Sequence, residues 1–301
     1  MKKRAFVRYS KQGKIVPGSL ILTSGSFPNG PSTWNEVPAD LCCTTPCGSE
    51  PLVMEVRTIE SFFEFGFRVY NGNTVKGTIE WGDGQSETFD LSGGGYYTYF
   101  GHNYTTPDYI PQTIRVYFTS VAGFRNLEIG DTDGWHVLSV TNIPAVFAGS
   151  TINQVDADGS LLTTLDVSGL TSLTELYALE CPNLAYLNVQ GCTSLDDTEL
   201  FSDAFETLDF SGCMLLVSAR IYDNSNLTQV IIDTCPSLAY LDAIDCALST
   251  ANVDYLITTL DNNGRLSGYL DVSGGTSGAP SGGVASNILS LTSKGWNVYT
   301  N

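Results

Sequence analysis

The chain has 301 residues, which allows two or three small domains or one domain followed by a repeat array. Its formal net charge is −18, and the 287 residues after position 14 carry 8 basic against 32 acidic side chains, a formal charge of −24. An acidic body repels nucleic acid, and no apolar run approaches the ~20 residues of a membrane span. We therefore expect neither nucleic acid nor a membrane as a partner.

Residues 1–49 are predicted to form a small β module that is rich in turn residues. Apolar and polar residues alternate over positions 5–10, as in a strand, and a second strand is predicted over 15–22 after a turn at Gly13. Charged residues interrupt the apolar stretch that a signal peptide requires. The sequence therefore predicts a protein that is made in the cytoplasm and stays there unless it leaves by lysis or by another route.

The first 14 positions form a basic leader without acidic residues. We interpret this leader either as a segment that docks on an acidic protein surface or as a solubilising tail. Its six basic residues are Lys2, Lys3, Arg4, Arg8, Lys11 and Lys14.

Three cysteines, Cys42, Cys43 and Cys47, close the module. Their spacing is not C-x-x-C, and His102 and His136 are the two histidines of the chain that could add ligands. We favour buried thiols at a module boundary, with a zinc site as the alternative.

Residues 50–123 are predicted to form a β-sandwich of short strands separated by turn residues. Strands are expected over 53–59, 63–70, 75–81, 86–91, 96–100 and 114–120. Trp81, Asp83 and Gly84 belong to a W-G-D-G turn, and His102 and Tyr104 follow before the last strand. This order resembles the PKD (polycystic-kidney-disease) family of immunoglobulin-like sandwiches, in which such a turn pairs with a later H-x-Y. The usual Pro-Gly-x-Tyr lead-in to the last strand is altered here, so the resemblance predicts the fold but not the conformation of that loop.

Residues 124–301 contain an eleven-residue repeat of the form Leu-x-x-Leu-x-Val. Apolar residues at its first, fourth and sixth places alternate with polar ones, which is the pattern of a strand with one buried face. Two units make one coil of roughly 22 residues, the length range of leucine-rich repeats, so a stacked solenoid is predicted. The clear copies begin at Leu162, Leu173, Leu184, Phe205, Leu216, Leu227 and Leu238, and degenerate copies begin at Phe124, Trp135 and Ile152.

The C-terminus is predicted to be an α/β cap. It comprises a helix after Ser249, a strand over 268–272, a second helix over 285–293 and a final strand over 296–299. The expected fold class is thus mainly β: a small N-terminal β module, a PKD/immunoglobulin-like sandwich and a leucine-rich-repeat solenoid with its cap.

Six repeats have a cysteine or an asparagine five residues after their central apolar residue. In leucine-rich repeats this place turns inward and caps backbone groups at the bend. Alternation between two sides predicts two columns of such side chains. We expect reduced structural thiols there rather than metal ligands or nucleophiles. One column contains Cys192, Cys213 and Cys235, and the other contains Cys181, Asn224 and Cys246.

No catalytic, cofactor-binding or metal-binding residue is predicted. His102 belongs to the sandwich turn, His136 lies in an early repeat, and we expect both to be structural. Residues 131–134 resemble the start of a calcium loop, but Asn142 occupies the place of its bidentate glutamate. Aromatic residues of the sandwich either anchor a sugar or protein partner or fill the core. They are Tyr96, Tyr97, Tyr99, Phe100, Tyr104 and Tyr109.

Residues 1–22 and 34–43 look like the opening of virion proteins from crAss-like phages of gut Bacteroides. The resemblance implies a capsid-attached appendage, with a head fibre favoured over a tail fibre. It further implies that the basic leader and Trp34 anchor the chain to the capsid protein, that trimers form, and that the protein is located in the virion. The solenoid would face a host-surface glycan, mucin or a protein.

Two other classes of function remain open. A bacterial cell-surface adhesin of leucine-rich-repeat type would use the same binding modules. A polysaccharide-degrading enzyme would require two perturbed carboxylates in a groove, ~5–10 Å apart.

Overall fold

The computed structural model describes residues 50–57, 62–70, 72–92, 96–105, 111–121, 123–129, 137–201 and 204–301, together with the backbone of three strands before residue 50. The protein is mainly β, with 40% strand and 13% helix, which confirms the predicted class at that level. Met1–Ser49 and Glu50–Asn301 form two compact units. Within the described residues, no helix is both long and apolar enough to cross a lipid bilayer.

The first unit contains one antiparallel sheet of three strands. These are β1 (Arg4–Arg8), β2 (Ile21–Thr23) and β3 (Trp34–Glu36), in the order β2-β1-β3. Phe6 pairs with Ile21 on one side and with Glu36 on the other. The remaining predicted anchor residues Lys2, Lys3, Lys11 and Lys14, and the cysteines Cys42, Cys43 and Cys47, lie outside the described residues.

The second unit begins with strands that form two facing layers. In chain order they are β4 (Leu52–Arg57), β5 (Phe62–Val69), β6 (Thr74–Glu80), β7 (Ser86–Ser92), β8 (Tyr97–Asn103), β9 (Pro111–Phe118), β10 (Phe124–Glu128) and β11 (Val137–Thr141). One layer is an antiparallel sheet in the order β11-β4-β9-β6-β7, and the other contains β10, β5 and β8. Buried aromatic rings join them: Phe67 lies 5.3 Å from Phe118 and 6.2 Å from Phe89, measured between ring centroids.

The rest of the unit alternates between two sets of short strands and ends with a segment that contains both helices and strands. The helices are α1 (Ile143–Phe147), α2 (Thr250–Asn262) and α3 (Ala285–Ser293). The strands are β12 (Gln154–Asp156), β13 (Thr164–Asp166), β14 (Glu175–Leu179), β15 (Tyr186–Asn188), β16 (Asp197–Phe201), β17 (Thr207–Asp209), β18 (Ser218–Arg220), β19 (Gln229–Ile231), β20 (Tyr240–Asp242), β21 (Gly268–Asp271) and β22 (Trp296–Tyr299).

Strands that pair are separated by about two sequence repeats. Leu165 pairs with Leu187, twenty-two positions later, and Val155 pairs with Leu176, twenty-one positions later. All these pairings are parallel. The even-numbered strands from β12 to β20 continue into β21 and β22 as one sheet, whereas β13 pairs with β15 and β17 pairs with β19 in two smaller sheets. The central apolar residues of both sets are buried, except that Leu187 in β15 is partly buried, and together they supply one continuous core.

The two parts of the second unit share a sheet. Leu127 in β10 pairs antiparallel with Phe67 in β5 and parallel with Val155 in β12. A single ten-stranded sheet therefore runs from β8 to β22. This sheet contains β5 and β8 from before position 123, the predicted domain boundary, and β10 and β12 from after it.

Each repeat ends in a turn that requires a left-handed backbone conformation. Gly169, Gly191 and Gly212 take this place with φ of 71°, 82° and 89°. An Asp or Asn three residues earlier closes the turn by accepting a backbone hydrogen bond: Asp166 Oδ1 accepts from the Ser168 N–H at 2.9 Å. The same bond recurs at Asp156, Asn188, Asp209, Asp242 and Asp271.

The C-terminal segment packs on the last strands. Ser249 caps α2, since its side chain accepts a hydrogen bond from the Asn252 N–H at 3.2 Å. The Lys294 ammonium lies 2.6 Å from Asp261 Oδ1 and ties α3 to α2. Gly268 lies so close to Trp296 that a Cβ there would come within 2.6 Å of its ring, so β21 and β22 approach closely at this position.

Candidate binding face

The ten-stranded sheet has an apolar inner side and a polar outer side. Alternation along each strand directs Leu176 and Ala178 into the core and leaves Tyr177 partly exposed between them. We use the term outer face for the outward side of this sheet from β10 to β22. Its carboxylates are Glu128, Asp156, Asp158, Glu175, Asp197, Glu199, Asp242 and Asp271, and its tyrosines are Tyr177, Tyr222, Tyr240, Tyr269 and Tyr299.

Four side chains from four neighbouring strands form a stack on the outer face. The Arg220 guanidinium lies 5.6 Å from the centroid of the Tyr240 ring. On the other side, Tyr240 stacks on Tyr269 with centroids 4.7 Å apart and planes inclined by 11°, and Tyr269 lies 5.7 Å from Tyr299. Because β18 and β21 flank β20, both ring faces of Tyr240 are covered. Tyr299 ends the stack with 50% of its surface exposed.

A second stack lies at the carboxyl ends of β16 and β18, where Phe201 and Tyr222 have centroids 4.9 Å apart and planes inclined by 17°. Rings that cover each other present their edges and hydroxyls to the solvent. These hydroxyls donate to neighbouring carboxylates: Tyr269 to Asp271 at 3.0 Å, and Tyr222 to Glu199 at 3.4 Å. The outer face thus offers mainly hydrogen-bond acceptors to a ligand.

Arg220 shows how this surface holds a cation. Its Nη1 donates to Asp197 Oδ1 at 3.1 Å and to Asp197 Oδ2 at 3.3 Å, and it lies 3.9 Å from Glu199 Oε2. Carboxylates on one side and a tyrosine ring on the other are the groups that bind a guanidinium best. Arg220 is the single basic residue among the described strands β12 to β22.

The carboxyl groups of Asp156 and Asp158 lie near each other at the end of β12. Burial, followed by the charge of Asp156, raises the pKa of Asp158 to about 7, and burial also raises the pKa of Asp156. Each carboxyl group accepts a backbone hydrogen bond, Asp156 from the Asp158 N–H at 3.1 Å and Asp158 from the Leu179 N–H at 2.7 Å. The bond at Asp156 is the one that closes the turns of the other repeats, which indicates a structural role.

The residues of the W-G-D-G and H-x-Y motifs lie together in the sandwich. The imidazole of His102 stacks on Trp81 at 4.8 Å, and its Nε2 lies 3.0 Å from Asp83 Oδ2. Tyr104 donates from its hydroxyl to the Trp81 carbonyl at 2.9 Å, and Gly84 has φ of 93°. Burial raises the pKa of Asp83, but the hydrogen bonds with His102 and Gln85 together outweigh it, and the pKa is lowered. These contacts hold the turn against the strand ends.

The inward-facing cysteines donate to backbone carbonyls of the preceding turn in their own column. Cys235 donates to Phe210 at 3.0 Å and Cys192 to Val167 at 3.1 Å, while Cys213 lies 3.9 Å from the Val189 carbonyl. All three are free and buried. Burial raises the pKa of Cys192 and Cys235 to about 12 and that of Cys213 to about 11.

The other column follows the same rule with mixed side chains. Cys181 donates to the Ala157 carbonyl at 3.1 Å, Asn224 to Leu200 at 2.9 Å, and Cys246 to Ile221 at 3.2 Å. Ser160 begins this column, with its Oγ 3.3 Å from Cys181 Sγ, and it was not among the predicted residues. Both columns place the thiols inside the bends, where they satisfy backbone acceptors.

The aromatic cluster of the sandwich divides between the core and the surface. Phe100 packs on Phe65 and Phe67, and Tyr104 is buried. Tyr96 is 84% exposed, and Tyr99 donates to Glu128 at 3.0 Å beside the outer face. Tyr109 and His136 lie outside the described residues.

A binding surface on the solenoid was expected from the sequence, but none of the outer-face residues was predicted. Their signal lies in the alternation of the strands, where Tyr240 precedes Asp242 in a repeat and Tyr269 precedes Asp271 in the cap strand. Among the residues that the structure describes, no group of three or more His, Cys, Asp or Glu side chains could hold a metal ion. No family model, no curated protein and no solved structure matches the chain.

Proposed function

We propose that the chain is a non-enzymatic attachment protein that presents the outer face to a binding partner. In this proposal residues 124–301 form a leucine-rich-repeat solenoid with a C-terminal cap, and residues 50–123 form a PKD-like sandwich that acts as a spacer or in oligomerisation. The parallel register of about two repeats per strand pair and the inward columns of Cys and Asn support the solenoid.

The observation that carries this proposal is the ordered outer face. Stacked rings and paired carboxylates hold its side chains in place across five parallel strands, from β16 to β22. Because these side chains are already ordered, binding a partner costs little conformational entropy. A rigid polar sheet surface of this type suits recognition. The perturbed pair Asp156 and Asp158 would suit a polysaccharide-degrading enzyme, but the backbone hydrogen bonds that both groups accept favour a structural role.

For the biological setting we propose a virion appendage, with a capsid-attached head fibre favoured. Residues 1–49 would anchor the chain to the capsid protein through Arg4, Arg8, Trp34 and the other basic residues of the leader, and three copies would associate. The outer face would then meet a host-surface glycan, mucin or a protein. The resemblance of residues 1–22 and 34–43 to phage virion proteins supports this setting. A bacterial cell-surface adhesin is the alternative, because it would need the same outer face.

Mass spectrometry of purified virions from cultures that produce the chain tests this setting. We expect peptides of the chain in intact particles, and we expect a chain that lacks residues 1–49 to be absent from them. Recovery in the bacterial envelope fraction, with none in the particles, would establish the adhesin instead. The chain without residues 1–49 is the matched control, because it retains the outer face while losing the proposed anchor.

A further inference from the structure

We propose that the outer face binds an arginine-rich polypeptide segment of a partner protein, in the region where β12, β14 and β16 lie side by side. This inference rests on the proposed function and names the chemistry of its partner. The region contains Asp156, Asp158, Glu175, Tyr177 and Glu199.

The contacts of Arg220 provide a template for the bound segment. Its guanidinium meets both oxygens of one carboxylate, a second carboxylate at 3.9 Å and the ring of Tyr240. Tyr177 lies beside Glu175 on β14 and opposite Glu199 on β16, so a ring and two carboxylates come together there as well. Glu199 belongs to both sets, because it is also the second carboxylate near Arg220. The chain itself supplies no basic residue on these described strands. An arginine from a partner would complete the pattern.

A buried acceptor lies at the edge of this region. Asn126 is 2% exposed, and its Nδ2 donates to the Tyr97 hydroxyl at 3.1 Å and to Gln154 Oε1. Its Oδ1 is buried and has no hydrogen-bond partner among the described residues. A buried acceptor without a donor is costly, and a guanidinium offers five N–H groups in a fixed plane. This acceptor is independent of the carboxylates and favours the same ligand.

Charge and ring geometry favour an arginine-rich peptide over a glycan. Sialylated or sulfated sugars are repelled by the carboxylates of the outer face. Neutral sugars bind proteins by resting on exposed ring faces, but Tyr240 has both faces covered and Tyr269 is stacked on its neighbours. A guanidinium needs carboxylates and a ring edge or face, which this surface retains.

Fluorescence anisotropy with synthetic peptides on the full chain tests this inference. The probes are an alternating arginine–glycine peptide, the same peptide with lysine, the same with glutamate, and a chitosan oligomer as a cationic glycan. We expect the arginine peptide to bind several-fold more tightly than the lysine peptide, because a planar guanidinium matches a carboxylate bidentately. The glutamate peptide should not bind.

The matched variants are Glu175→Gln with Glu199→Gln on the outer face, and Glu87→Gln with Glu206→Gln at exposed positions elsewhere. Both pairs remove two negative charges. We expect the first pair of substitutions to lower the affinity for the arginine peptide by at least about tenfold, and the second pair to lower it by less than about twofold. Circular dichroism of each variant verifies that it is folded.

Three results would overturn the inference: equal weakening by both pairs, equal binding of the lysine and arginine peptides, or tighter binding of the chitosan oligomer. Each would show that net charge or a sugar, not a guanidinium site, governs binding. Failure here with the chain present in virions leaves the proposed function standing. Absence of the chain from virions and bacterial envelopes alike would overturn that function whatever the peptide result.

Discussion

Asn252 and Val230 exchange two hydrogen bonds that imitate the pairing of one more strand. The Val230 N–H donates to Asn252 Oδ1 at 3.0 Å, and Asn252 Nδ2 donates to the Val230 carbonyl at 2.8 Å. Val230 pairs with Leu208 on its other side, twenty-two positions earlier, and Asn252 follows it by the same interval. The first turn of α2 therefore occupies the place of the next strand and closes the open edge of β19.

Replacing Asn252 by leucine tests this closure. The change leaves the buried N–H and carbonyl of Val230 without partners, and each unsatisfied group costs ~1–3 kcal/mol. We expect Asn252→Leu to lower the free energy of unfolding by about 2–4 kcal/mol, measured by urea denaturation. Asn297→Ala, at an exposed position on β22, is the control and should stay within about 0.5 kcal/mol. Similar losses for the two variants would show that Asn252 does not close this edge.

The left-handed turn position predicts opposite effects for two substitutions. Gly212 has φ of 89°, and a Cβ there would meet nothing within 4 Å, so Gly212→Ala should cost ~1–2 kcal/mol from backbone strain alone. Glu180 has φ of 55° at the equivalent position and is exposed, so Glu180→Gly should stabilise the protein by about 0.5 kcal/mol. Thermal unfolding of both variants measures the signs, and a loss of stability in Glu180→Gly would contradict this reading.

The inward thiols predict strong protection from alkylation. Burial raises the pKa of Cys192, Cys235 and Cys246 to about 12, and thiolates are the reactive form, so these groups should not react at neutral pH in the folded protein. Peptide mass spectrometry after maleimide treatment measures each site separately. We expect labelling of these peptides in guanidinium chloride and none in its absence. Rapid labelling of the folded chain would place the thiols outside the bends.

The pKa of Asp158 predicts a dependence of stability on pH. Since the folded protein holds this proton up to about pH 7 and the unfolded chain releases it near pH 4, the folded state binds more protons in that interval. Asp158 therefore lowers stability progressively as the pH rises from about 4 to 7, and the loss is complete above that range.

Asp158→Asn removes this loss and retains an oxygen for the Leu179 N–H. The variant should be more stable than the native protein above pH 7, by about 1 kcal/mol once partial exposure is allowed for, with a smaller difference near pH 4. Urea denaturation across the interval measures it, and Glu87→Gln controls for the loss of one charge. A pH-independent difference would exclude the proposed titration.

The repeat pattern predicts which side chains are buried, because burial on one side of a strand follows directly from a period of two. Leu176, Leu208 and Leu241 are all buried, and an inward cysteine lies five positions after each of them. The same pattern does not predict which strands pair with each other in a sheet. Phe124 and Leu127 fit the repeat, yet β10 pairs antiparallel with β5 and joins the sandwich to the later strands.

The outer face depends on relationships that one repeat does not contain. Arg220, Tyr240 and Tyr269 meet because successive strands pair in register, with twenty-two positions between Ala219 and Leu241 and twenty-nine between Leu241 and Leu270. The longer second interval accommodates α2, so spacing in the sequence does not reveal that Tyr240 and Tyr269 stack. Burial restricts the inward positions to apolar residues, and that restriction is what lets the sequence predict the core. The polar positions of the outer face have no such restriction.

Deletion of one complete coil tests whether two repeats make one structural unit. Removal of residues 216–237 should leave β20 in the place of β18 and Asn252 opposite Leu208, because both sets of strands move by one full step. We predict a β-type circular dichroism spectrum and a single cooperative unfolding transition for this variant. Removal of residues 216–226 alone moves every later strand by half a coil, so that each would have to join the other set of strands. We expect this variant to lose cooperative unfolding. If the shorter deletion folded as well as the longer one, the two-repeat coil would be wrong.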